Sequence, residues 1–151
     1  MNNQGLYPVI FVNFKDVTGS TWQEVESKLR LTISNLYMGC RYVSCYLRGA
    51  VSNPKSSYSD KYEATEFLKR YNALREDKAA DTNKAELEDS LRFLSELLSK
   101  IHGRPVYILI DECDKTVNHL LEADNPDHEL IKKTTELMSN ISLLVVKTTI
   151  I

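Results

Sequence analysis

Two adjacent carboxylates, Asp111 and Glu112, end an apolar run at residues 106–110 (VYILI) and open the segment DECDK. A continuous apolar run of that length, bounded by Pro105 and by an acid, predicts a buried central strand of a parallel sheet. Ligands of open parallel sheets bind at the carboxyl ends of the strands. Adjacent acids at such an end suit phosphoanhydride hydrolysis. The first orients Mg²⁺, commonly through its water shell, and the second polarises the water that attacks the terminal phosphate. Asp111 is therefore the expected metal-facing residue and Glu112 the expected catalytic one. Acids after strands also open loops or cap helices; the wholly apolar run and the adjacency of the two acids favour the hydrolytic role. Asp114 is an accessory candidate, and Lys115 reads as a solvated charge or as a partner for Asp114.

Three other chemistries fit the same residues less well. Residues 111–114 (DECD) match the DExD box of RNA helicases, but a long helical interval precedes them and a GxxxxGK[ST] phosphate loop occurs nowhere in the chain. Phosphatases of the haloacid dehalogenase type need two aspartates one residue apart, whereas Asp111 and Asp114 are separated by two. A zinc site would have to join Cys113, His119 and His128, whose spacings match no paired-ligand pattern.

The elements that must position the acids follow from apolar periodicity. Residues 7–14 (YPVIFVNF) predict a buried strand. Ser20 and Gln23 have the spacing of a capping box, and apolar residues at Trp22, Val25, Leu29, Ile33, Leu36, Cys40, Val43 and Leu47 then recur at helical spacing. One long or broken helix is preferred there, with Gly39 as its weak point and residues 42–47 as an alternative short strand. Residues 49–60, with Pro54 and several serines, predict a flexible loop. A helix over Tyr62, Phe67, Leu68 and Tyr71 fades into a charged run at 75–81 (REDKAAD), read as a loop or helix end. From Thr82 a leucine stripe (Leu87, Leu91, Leu94, Leu98, Ile101) predicts a helix packed on the sheet, stopped by Gly103 and Pro105. Asn125 and Pro126 predict an N-cap and first turn for a helix ending near Asn140, and residues 142–151 (SLLVVKTTII) predict a closing strand.

Composition bounds the rest. With 151 residues the chain has single-domain length, and such a domain buries roughly two-thirds of its unfolded surface. Nineteen basic against 21 acidic residues leave a net charge of −2, too balanced for the basic field on which non-specific nucleic-acid binding rests. There is no apolar run of membrane-spanning length and no leader pattern at the start, so the cytoplasm is the expected location. Three cysteines without CxxC spacing fit a reducing compartment, as core thiols rather than a disulfide scaffold.

Taken together, YPVIFVNFKDV, a capped helix carrying Trp22, a leucine-striped helix and RPVYILIDECDK resemble the AAA-ATPase-like domain found before a PD-(D/E)XK nuclease-like region in many bacterial proteins. The resemblance spans roughly residues 7–140. It implies a three-layer α/β/α core of P-loop NTPase type, with the strands at 7–14, 106–110 and 143–146 parallel neighbours and helices on both faces. It also implies ATP and Mg²⁺ as cofactors, with Asp111 and Glu112 as the Walker B pair and Asp114 and Thr148 as accessory residues. Family members carry a phosphate-binding loop upstream of the first strand. Its absence here predicts a single, incomplete ATPase domain over 1–151 that binds nucleotide weakly alone. Two partners are then expected: a second copy, or a separately encoded ATPase or nuclease-like portion. The alternative is a non-catalytic remnant or interaction module with exposed strand edges, and a helicase-like fragment ranks below both.

Overall fold

Each of the two leading apolar runs forms a strand: β1 is Val9–Asn13 and β2 is Tyr107–Asp111. The computed structural model describes residues 7–55, 57–75 and 84–149, with the side chains of all of these except 58, 74–75 and 142–149. β1 and β2 pair in parallel, in register from Val9 opposite Tyr107 to Asn13 opposite Asp111. Between them run α1 (Trp22–Gly39), α2 (Arg41–Ser52), α3 (Tyr58–Arg75) and α4 (Lys84–His102); after β2 come α5 (Cys113–Leu121) and α6 (His128–Thr149).

This architecture overturns the expected three-layer α/β/α core. Among the described residues the sheet has two strands, and six helices make up most of the chain. The predicted strand at 142–151, including the stretch 143–146 that was to pair with β2, is instead the continuation of α6 as far as Thr149. The reason lies in the preceding turns. No glycine or proline interrupts residues 127–151, and adding a residue to a helix that has already nucleated is far easier than starting a new element. A run rich in Val and Thr has strand composition, but composition alone cannot separate a short buried strand from a helix segment.

Among the described residues the helices cover the sheet on one side. Ile10, Val12 and Phe14 are buried against the helices, while Val9 and Phe11 are 54% and 55% exposed and Tyr107 and Leu109 are 50% and 53% exposed. The run VYILI, read as buried on both faces, therefore alternates. Beneath the covered face, α1 packs on β1, and α4 and α6 pack against each other and α1; α2 pairs with α3, which also leans on α1.

Local chemistry shifts several boundaries by a residue or more. The cap of α1 is Thr21 rather than Ser20: its hydroxyl accepts from the Glu24 N–H at 3.3 Å, and the Glu24 carboxylate accepts from the Ser20 N–H at 2.7 Å. The long helix breaks at Cys40, which ends α1 and starts α2, so residues 42–47 are helical and not a strand. Residues 49–52 form the last turn of α2, shortening the loop expected at 49–60 to the few residues before Tyr58. Arg75 is the last residue of α3; the rest of the charged run at 75–81 and Thr82 lie outside the described residues. Gly103, at φ 62°, terminates α4, and the Arg104 N–H bonds back to the Ser99 carbonyl at 3.2 Å. The cap of α6 is Asp127, not Asn125, with Oδ1 accepting from the N–H groups of Glu129 and Leu130 at 3.0 and 3.1 Å.

The leucine stripe of α4 is buried as expected at Leu87, Leu91, Leu94 and Leu98, but the helix packs chiefly on α6 and α1 and not on the sheet. Opposite it, Tyr37 of α1 stacks on Phe67 of α3 at 5.5 Å and donates its hydroxyl to the Ser90 carbonyl of α4 at 3.2 Å. Burial raises the Tyr37 pKa above the ordinary phenol range, although Arg70 pulls the other way. The three cysteines are not core thiols: Cys45 and Cys113 are exposed and Cys40 is half-buried.

Two substitutions test this core by denaturant unfolding. Tyr37→Phe should cost about 1 kcal/mol through the lost hydrogen bond. Thr134 is fully buried and its hydroxyl has no partner, so Thr134→Val should stabilise by about 1 kcal/mol, removing a desolvated donor without leaving a cavity. A destabilised Thr134→Val would mean that the hydroxyl has a partner in solution.

Candidate functional site

The carboxyl ends of β1 and β2 meet at Asn13 and Asp111, opposite each other in the register. One further ladder bond, from the Phe14 N–H to the Asp111 carbonyl at 3.1 Å, carries the pairing past the last strand residues. Asn13 then closes a tight turn by accepting from the Lys15 N–H at 2.7 Å. Asp111 shares the uncovered face of the sheet with Tyr107 and Leu109, and its side chain is exposed.

At Glu112 the chain leaves the strand abruptly. Its backbone is left-handed, at φ 56° and ψ 29°, making it the one described non-glycine residue with positive φ. For an L-residue that conformation costs roughly 1–2 kcal/mol, and sites where such strain persists are frequently functional. The turn starts α5 at Cys113 with no side chain capping its first N–H groups. Thr116, fully buried, donates to the Phe14 carbonyl at 3.4 Å, so α5 is tied to the end of β1 as well as following β2.

Lys115 pairs with Glu112 through Oε1, not with Asp114. The other carboxylate oxygen of Glu112, Oε2, is buried with no partner. The hydrogen bond to Glu112, reinforced by the charges of Glu112, Asp111 and Asp114, raises the pKa of the Lys115 ammonium. Lys115, 54% exposed, thus pairs with Glu112 alone at the sheet edge, and the charges of Asp111 and Asp114 act on it from further off. Asp114, in the first turn of α5, belongs to this cluster.

Thr148, foreseen as an accessory residue, sits on a helix and not on a strand. It lies in the last turn of α6, where its side chain is not described, and the strand that was to deliver it is helical. The end of the first strand around Asn13 to Lys15 lies beside the acids, as parallel pairing of the two runs requires. Sequence reasoning missed Thr116, for which there was no signal, because its role depends on α5 folding back onto β1.

Mg²⁺ suits this donor set. An exposed aspartate at a strand end, together with phosphate oxygens and waters, is how this hard cation is commonly held in nucleotide sites. Among the described residues no three His, Cys, Asp or Glu side chains lie close enough to hold a metal by themselves. Cys113, His119 and His128 therefore form no zinc site. No described helix is long and apolar enough to cross a membrane.

No curated protein and no solved structure matches the chain. A family model described as a predicted AAA-ATPase matches residues 1–149, a span that includes both strands, the acidic turn and all six helices. The chain belongs to this AAA-ATPase-like family.

Proposed function

We propose that the chain supplies the Walker B acids of an ATP-hydrolysing site. The observation that carries this reading is the turn at residues 111–112. Asp111 stands at the carboxyl edge of the sheet beside Asn13, and the next residue is held in a strained backbone with one carboxylate oxygen unpartnered. A bound Mg²⁺ would neutralise phosphate charge. Asp111 would face it, and Glu112 would take a proton from the attacking water once its Lys115 pair opens. Asp114 would share in holding Lys115. The 151 residues contain no GxxxxGK[ST], so the groups that grip the β and γ phosphates would lie outside them.

A second reading, an interaction module without turnover, is favoured by the uncovered sheet face. Val9, Phe11, Tyr107 and Leu109 are all at least half exposed there, a contiguous apolar patch of the kind that marks interaction sites. The two readings are compatible if the covering partner brings the phosphate loop.

Calorimetry on the 151-residue chain should give ATP·Mg²⁺ binding no tighter than about millimolar, roughly −4 kcal/mol; micromolar affinity would show that the chain grips phosphate by itself. With a phosphate loop supplied by fusion or by a partner, Glu112→Gln should retain binding and lose turnover by about a hundredfold or more. Asp111→Asn should weaken the Mg²⁺-dependent part of binding. Turnover within about threefold of wild type in both variants, under 1 kcal/mol of barrier, would sink the assignment.

Strain at the turn gives an independent test. Glu112→Gly should raise stability by about 1 kcal/mol, or about 2–4 °C in Tm, since glycine adopts the left-handed backbone freely. The exposed Lys115 pair it removes is worth less than that. A loss of stability instead would mean that Glu112 is there to hold the turn together.

A further inference from the structure

At the opposite end of the sheet, a cleft of about 660 Å³ runs beside β1. One wall is the strand itself at Val9–Phe11. The other is built from Leu36 of α1, Tyr42 of α2 and His102 at the end of α4, with Arg104 at the mouth. Parallel ladders use alternate residues of each strand. The bonds from the Tyr107 N–H to the Pro8 carbonyl and from the Phe14 N–H to the Asp111 carbonyl set the phase. Even-numbered residues of β1 therefore face β2, and Val9 and Phe11 turn their N–H and C=O groups outward, away from β2. Neither residue takes part in any backbone hydrogen bond described beyond the ladder.

Natural edge strands are usually blunted by charge, proline or a bulge. β1 has none of these from Val9 to Asn13, so its outward row of donors and acceptors is a template for another strand. Arg104 and His102 stand at its amino end. The Arg104 guanidinium lies 5.9 Å from the Tyr7 ring centre, and His102 Nε2 is 3.2 Å from the Tyr42 hydroxyl. We infer that this cleft docks an extended peptide antiparallel to β1, which hydrogen-bonds to Val9 and Phe11 and ends in a carboxylate held by His102 and Arg104. Main-chain bonds would supply affinity, and the apolar wall at Leu36 with the basic mouth would supply specificity. The surface is separate from the acids, which lie at the other end of the strands, and it does not depend on the ATPase reading.

The test is a titration of the ¹⁵N-labelled chain with the peptide Thr-Val-Thr-Val-Glu carrying a free carboxyl terminus, followed by amide chemical shifts. Shifts at Val9, Phe11, Tyr42 and His102, saturating below ~1 mM, are expected. Amidating the peptide's carboxyl terminus while replacing its Glu by Gln should weaken binding about tenfold or more, as should Arg104→Ala. Phe11→Pro removes an outward N–H without breaking the ladder; it should leave the fold intact by thermal unfolding and abolish the shifts. Should that variant misfold, a peptide N-methylated at its central amides gives the same test from the other side. No shifts at ~1 mM, shifts confined to other surfaces, or equal binding of the neutral peptide would overturn the proposal. So would sedimentation showing that the chain already dimerises through this edge, since a second copy would then be its occupant.

Discussion

Everything in this fold answers to one parallel pairing. β1 and β2 are joined in register only because α1 to α4 carry the chain from the carboxyl end of the first strand back to the amino end of the second, as any parallel connection must. That requirement sets which faces are apolar. α1 must present one stripe to the sheet and another to α4, and the Tyr37 hydroxyl spans the gap between the two helices. The same pairing brings Asn13 and Asp111 side by side, so the site is a by-product of the sheet's register and not of any loop.

Electrostatically, the acidic turn is balanced within its own few residues. Lys115 neutralises Glu112 and lies in the field of Asp111 and Asp114. The balance is incomplete in one place, the second oxygen of Glu112. A left-handed backbone and an unpartnered oxygen on the same residue are two separate costs, and a purely structural turn could avoid the first with glycine and the second with an apolar side chain. Their coincidence at Glu112 is what gives the family assignment a chemical focus in this chain.

How much of this could be read from residues alone varied with the range of the forces involved. The strands, the leucine stripe of α4 and the glycine stop at Gly103 were visible because they follow from apolar periodicity and from the conformational freedom of one residue. The position of Asp111 at a strand end was visible for the same reason. Helix caps came out displaced, at Thr21 instead of Ser20 and at Asp127 instead of Asn125, because neighbouring polar residues compete for the same N–H groups and the difference between them is small. The fold class failed on residues 142–149, where a strand-like composition is overruled by the helix already running into it. No pattern announced the left-handed turn at Glu112, because a side chain's identity does not reveal that its backbone is strained.

The separation of the two strands also orders the events of folding. Val9 meets Tyr107 only after four helices have been gathered into a single loop, and the entropy of closing that loop is spent before the first sheet hydrogen bond offsets it. The α2–α3 pair, adjacent in sequence and packed together, can form on local information, whereas the sheet must wait. Until it closes, β1 is an isolated hydrophobic strand synthesised well before its partner, and the newly made chain is most exposed to aggregation before β2 has been made to cover one of its edges.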